Sequence, residues 1–140
     1  MQAHDIMTKN VVTATPDTSV DQVAALMIEH DISAVPIVDE NGAIAGLISE
    51  GDLMRRVEGA AQQPKSWWLS FFAGSEKTAT DFIVQRGRHA RDIMTRDVET
   101  VAPDQPVGEI ARLLERKRIK RVPVVENGVL VGLVSRANLL

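Results

Sequence analysis

Two short segments carry the side chains with the most chemical potential. Ser49-Glu50-Gly51-Asp52 and Ser135-Arg136-Ala137-Asn138 each place a hydroxyl three residues ahead of a carboxylate or a carboxamide. At the start of a helix that spacing makes a capping box, in which the third residue reaches back to the Ser N–H. The same geometry also suits a ligand. A helix start offers free N–H groups and a positive dipole end to an anion, and a carboxylate one turn in can accept from both hydroxyls of a ribose. Both explanations use the same residues, and spacing alone does not separate them. In the second segment Asn138 stands where the first has Asp52, so the charge that strengthens such bonds is missing there.

The second feature is a run of cations. Arg112, Arg116, Lys117, Arg118, Lys120 and Arg121 fall within ten residues, against the single acid Glu115. A solvated helix face accounts for Arg112, Arg116 and Lys117. It accounts less well for Lys120 and Arg121, which flank the apolar Ile119 and Val122 at the start of a strand pattern.

Other chemistries find no support. The 140 residues include no cysteine, which excludes disulfides, a thiol nucleophile and thiolate metal sites. His4, His30 and His89 are too far apart for a local metal motif and read as surface residues, so neither a metal site nor a catalytic residue is expected. No Gly-x-Ser-x-Gly, Walker or Rossmann fingerprint occurs. Sixteen Lys and Arg against nineteen Asp and Glu give a net charge of -3, which argues against a nucleic-acid coat. Apolar runs such as Val23 to Ile28 are far too short to span a membrane. The N-terminus carries no signal-peptide pattern, and a cytoplasmic location is the expectation.

These segments are positioned by a duplication. Asp5-Ile6-Met7-Thr8 returns as Asp92-Ile93-Met94-Thr95, an offset of 87 that becomes 86 after the extra residue Glu40. Across the two copies 21 of 49 aligned positions are identical, where unrelated sequences would share about 3. Each copy reads β-α-β-β-α. A short strand (Val11 to Ala14, Val98 to Val101) precedes a proline, and a helix follows. Its apolar face is Val20, Val23, Ala24 and Met27, matched by Val107, Ile110, Ala111 and Leu114. Thr18 is the expected cap of the first helix, and Pro106 the first helical residue of the second. Strands Ala34 to Val38 and Arg121 to Val125 each contain a proline, which places Pro36 and Pro123 at an edge or bulge. Asn41-Gly42 and Asn127-Gly128 signal tight turns into the strands Ile44 to Ile48 and Val129 to Val134. The fold class is α+β. Residues 1–58 form the first repeat, 59–89 an insert and 90–140 the second repeat. One three-stranded sheet is too small to stand alone, so the copies are expected to pack as a pseudo-twofold pair.

All five aromatic residues, Trp67, Trp68, Phe71, Phe72 and Phe82, lie in the insert. Trp67 with Phe71 and Trp68 with Phe72 are spaced for one short helix, and a second helix is expected over 75–85. The stripe either fills its own seam or covers a second subunit.

The motifs Asp-Ile-Met-Thr, Ile-x-x-Val-Pro-Ile/Val-Val and Gly46-Leu47-Ile48-Ser49-x-x-Asp52 resemble the cystathionine beta-synthase (CBS) domain family, as a tandem pair covering residues 1–58 and 90–140. The insert, with Ser66-Trp67-Trp68, is similar to one in bacterial stand-alone pairs that sometimes precede a BON domain. The resemblance implies a non-enzymatic regulatory module that binds an adenine nucleotide between the repeats (AMP, ADP or ATP, or else NAD or S-adenosylmethionine) and signals by conformational change. It assigns the ribose to Asp52 and the adenine to Thr13, Ala14 and the segment Ile32, Ser33, Ala34, Val35 and Pro36, with Ile48 and Ser49 beside them. Lys120 and Arg121 would meet the phosphates from the other repeat. A weaker second site would comprise Thr100, Val122, Pro123, Ser135 and Asn138. The family also implies a homodimer and an effector or downstream domain, since the last helix here stops short at Leu140. Two rival readings are a ligand-free dimerisation scaffold and, disfavoured by charge, a nucleic-acid binder using the basic run.

Overall fold

A computed structural model describes residues 1–56 and 89–140. The aromatic insert, with its expected helices at Trp67–Phe72 and over 75–85, lies outside the described residues. The described chain runs α1 (Ala3–Ile6), α2 (Val20–Glu29), β1 (Ala34–Val38), β2 (Ile44–Ser49), α3 (Glu50–Arg56), α4 (Ala90–Ile93), α5 (Val107–Lys117), β3 (Arg121–Glu126), β4 (Val129–Ser135) and α6 (Arg136–Leu139). Strand β1 pairs with β2, and β3 with β4. This is a small α+β fold of short helices and strand pairs.

The chain divides into two compact units that do not follow the repeat boundaries. One contains Met1–Val11, Val38–Ile44 and Asp97–Leu140; the other contains Val12–Ile37 and Ala45–Arg96. The reason is an exchange of the Asp-Ile-Met-Thr turns. In the first unit the Ala3 N–H donates to the Gln105 carbonyl at 2.9 Å, and Thr8 bonds Leu133 in both directions at 2.9 and 3.0 Å. In the second unit the Ala90 N–H donates to the Thr18 carbonyl at 2.7 Å, and Thr95 bonds Leu47 at 2.9 and 3.0 Å. Each repeat therefore lends its leading turn to the helix and hairpin of its twin.

Each unit has its own core. Val20, Val23, Ala24, Met27, Val35, Ile37, Ile48, Leu53, Ala90 and Met94 form one. Ala3, Val101, Ile110, Leu113, Leu114, Val122, Val124 and Val134 form the other. The second helix is rotated from the face its sequence suggests. Ala111 is exposed and Leu113 is buried, because Ile110, Leu113 and Leu114 line the core while Arg112 and Arg116 take the solvent side.

Local chemistry corrects three further expectations. Ser19, not Thr18, caps α2: its hydroxyl accepts from Gln22 N–H at 3.2 Å and its N–H donates to the Gln22 side chain at 3.4 Å. Thr18 is engaged one turn earlier, where its hydroxyl accepts from Thr15 N–H. Pro106 is the cap residue of α5, one position before the helix. The expected leading strands contract to single parallel bridges, Ala14 with Ile37 and Val101 with Val124. Pro36 and Pro123 can accept from Ala14 and Val101 but have no N–H to return, so the ladder cannot lengthen past them.

The hairpins differ by the inserted Glu40. In the second repeat Glu126 pairs with Val129 across Asn127 and Gly128, both at positive φ (54° and 80°), a tight turn of the primed kind. In the first, the Asp39 side chain accepts from Asn41 and Ala43 N–H groups and only Gly42 has positive φ, at 83°. The break in the β3–β4 register falls between Val124 and Val125, one residue after Pro123.

Candidate functional site

Asp52 is the one buried polar or charged side chain among the described residues, 6% exposed. Burying a carboxylate is costly unless donors surround it. Here its Oδ2 accepts from the Ser49 N–H at 2.8 Å and the Ser49 hydroxyl at 3.2 Å. Asp52 N–H in turn donates to the Ser49 hydroxyl at 3.3 Å, which completes the capping box. Its Oδ1 accepts from the Thr95 hydroxyl at 3.1 Å. The site therefore sits where β2 ends and α3 begins, with a turn from the other repeat closing it from outside.

Every residue expected around Asp52 in the first repeat belongs to the same unit. Thr13 is exposed, Ala14 is buried and bonds the Pro36 carbonyl, and the Ser33 carbonyl accepts from Glu50 N–H at 3.0 Å. That last bond ties the start of β1 to the start of α3. Val35 and Ile48 are fully buried in the core, so what they offer a ligand is backbone. Ala34 and Pro36 are buried too, while Ile32, Ser33 and Ser49 are half-buried.

Lys120, Arg121, Thr100, Val122, Pro123, Ser135 and Asn138 belong to the other unit. There the capping geometry repeats: Asn138 Oδ1 accepts from the Ser135 N–H at 2.8 Å and the Ser135 hydroxyl at 2.9 Å. Arg121 is paired with Ser135 in the sheet, and the Lys120 carbonyl accepts from Arg136 N–H at 3.1 Å. Lys120 is exposed and Arg121 half-buried. The two cations thus adjoin the Ser135–Asn138 cap within their own unit.

Thr95 is the site residue that reading the sequence missed. It closes the recurrent Asp-Ile-Met-Thr motif, and that motif reads as a turn with a packing methionine. The methionine does pack: a Cβ on Gly46 would lie 2.6 Å from Met94 Sδ, and one on Gly132 would likewise strike Met7. The hydroxyl at the motif's end was the available signal. Among the described residues no group of three or more His, Cys, Asp or Glu is arranged to hold a metal ion. Among them, too, no helix is long and apolar enough to cross a membrane.

The comparison with known families decides what these paired motifs are. A CBS domain model matches residues 3–59 and 90–140. The chain belongs to the CBS domain family. The CBS domain of a CBS-domain-containing membrane protein from Sphaerobacter thermophilus is similar in structure, with a TM-score of 0.77 and 36% identity over 99% of this chain and 85% of that one. CBSX2, solved in complex with AMP, is similar with a TM-score of 0.76 and 25% identity over 99% of this chain and 92% of that one. A CBS domain pair solved with 5′-methylthioadenosine and S-adenosyl-L-methionine gives a TM-score of 0.72 and 27% identity, over 99% of this chain and 92% of that one. Among curated relatives, a Methanopyrus kandleri protein is 31% identical over 97% of this chain and 59% of its own length. A homoserine O-acetyltransferase of Methanococcoides burtonii is 29% identical over 94% of this chain but only 22% of its own length. The chain thus spans less than two thirds of either relative.

Proposed function

We propose that this CBS pair is a regulatory module that binds an adenosine-bearing ligand, with Asp52 holding the ribose. The observation that carries this is the buried carboxylate: 6% exposed, it is held by donors at the end of β2, and a carboxylate is a charged acceptor that can serve two hydroxyls. Structural relatives solved with AMP and with S-adenosyl-L-methionine support the ligand class. Lys120 and Arg121 are proposed to meet the phosphates, as the resemblance implies. The module acts as a homodimer and passes its signal to an effector or an attached domain; it performs no catalysis of its own, and it works in the cytoplasm.

The capping box favours one rival. It explains Asp52 without a ligand, as part of a dimerisation scaffold. Thermal-shift measurements with AMP, ATP, NAD and S-adenosylmethionine separate the two readings. A ligand at a hundred times its Kd should stabilise the fold by about 2.7 kcal/mol. Asp52→Asn is the matching variant, because Asn138 keeps the same two cap bonds in the second repeat. It should fold normally and lose most of the shift. No shift with any of the four ligands would leave the scaffold.

A further inference from the structure

The two caps are alike in one oxygen and unlike in the other atom. Asp52 Oδ2 and Asn138 Oδ1 each accept from the N–H and hydroxyl of the serine three residues back. The second oxygen of Asp52 meets the Thr95 hydroxyl, whereas the second polar atom of Asn138 is an amide nitrogen, to which a hydroxyl could not donate. Thr8 matches Thr95 in the duplication, and its backbone makes the matching bridge to Leu133. Both threonines are exposed, and it is the Thr95 hydroxyl that reaches a carboxylate. The backbone of the exchanged turn is therefore kept in both units, while the hydroxyl–carboxylate contact accompanies Asp52.

We infer that Thr95 is a positioning residue for the ribose site, an inference that rests on Asp52 being the ribose acceptor. The backbone of Thr95 is itself held in place. Its N–H and carbonyl are both bonded to Leu47, on the strand that leads into Ser49 and Asp52, and the preceding Met94 is buried over Gly46. A donor fixed in this way sets the rotation of the carboxyl group about its last bond. Oδ2 is anchored by Ser49 and Oδ1 by Thr95, so the plane is settled before any ligand arrives. A diol needs both hydroxyls to meet one carboxylate in a defined orientation. An acceptor oriented in advance loses less freedom on binding. The donor comes from the second sequence repeat and the acceptor from the first, so the exchange of turns builds a single ribose site from both halves of the duplication.

Calorimetry with AMP and with 2′-deoxyadenosine monophosphate tests the inference. Thr95→Val removes the hydroxyl and keeps the shape. It should weaken AMP by about threefold to tenfold, the scale of one hydrogen bond, and narrow the preference for AMP over the deoxy form. Thr95→Ser should restore both, Thr8→Val should change neither, and the Tm of Thr95→Val should stay near wild type. Equal weakening of the two nucleotides would assign Thr95 a structural role and overturn the inference. Unchanged AMP binding in Thr95→Val would overturn it too. Failure of the wild-type protein to bind AMP would remove the ribose reading itself, an outcome distinct from either.

Discussion

Three carboxylates are used in three ways at the residue scale. Asp52 is buried and multiply bonded, Asp39 organises a turn, and Asp5 closes the box of α1. Asp5 Oδ2 accepts from the Gln2 N–H at 2.8 Å, and that bond holds its carboxyl below the usual carboxylate range. A carboxyl with a lowered folded pKa contributes stability above its unfolded pKa and loses it as pH falls through the folded value. The group is exposed, so the effect is small. In a carboxyl NMR titration the Asp5 midpoint should fall below that of an unstructured Asp. In Asp5→Ala, which has no acceptor to hold α1 to Gln2, the difference in Tm from wild type should shrink as pH falls from the midpoint of an unstructured Asp through the Asp5 midpoint. A midpoint at the unstructured value would mean the cap bond is not formed in solution.

Elements show where sequence reasoning succeeds and stops. Periodicity located α2 and α5, because one-sided burial repeats every few residues and leaves its imprint; the four strands read instead as short apolar runs beside the turn signals, and β1 is buried at four consecutive residues. The Asn-Gly pairs marked both turns. Pairing of distant segments leaves no such imprint. Asp5–Thr8 and Asp92–Thr95 have identical sequences, and nothing in either says whether it packs on its own repeat or on the other. Thr95 was hidden for that reason, while Asp52 was legible from its own neighbours. The exchanged turns are locked in by two glycines, and these should respond unequally to substitution. A Cβ on Gly46 would lie 2.8 Å from the Thr95 carbonyl, which is fixed backbone. On Gly132 the three nearest atoms all belong to the Met7 side chain, whose sulfur and Cγ can swing aside. Gly46→Ala should therefore cost about 1–3 kcal/mol, the scale of overpacking, and Gly132→Ala distinctly less. Denaturant melts of the two variants give the comparison, and equal losses would mean that the backbone at Thr95 yields as readily as a methionine.

At the scale of the whole molecule, duplication has produced two caps of the same form and different charge. Asp52 shares its unit with the neutral Ser33 and Ala34, and Asn138 shares its unit with Lys120 and Arg121 at the same repeat positions. A nucleotide is anionic at one end and offers a diol at the other; the charged acceptor Asp52 lies in one unit and the cations Lys120 and Arg121 in the other. On the proposed function a ligand held by Asp52 draws on Lys120 and Arg121, and the Asn138 cap is left without charge for either end. A charged hydrogen bond is worth about 1.5–3 kcal/mol, so the Asp52 site should bind AMP at least tenfold more tightly than the Asn138 site. Replacing Lys120 and Arg121 by Ala should then weaken AMP at the tight site far more than it weakens adenosine, which has no phosphate to lose. The same cations lie beside Ser135 in their own unit, where Arg121 pairs with it across the sheet. If they serve that cap instead, the double variant leaves the tight site untouched and removes only a weaker second binding event. Calorimetric titration of the double variant with AMP and adenosine, beside Asp52→Asn, distinguishes the two arrangements: a tight site lost in Asp52→Asn but intact in the double variant would mean that each unit keeps its own charges for its own ligand.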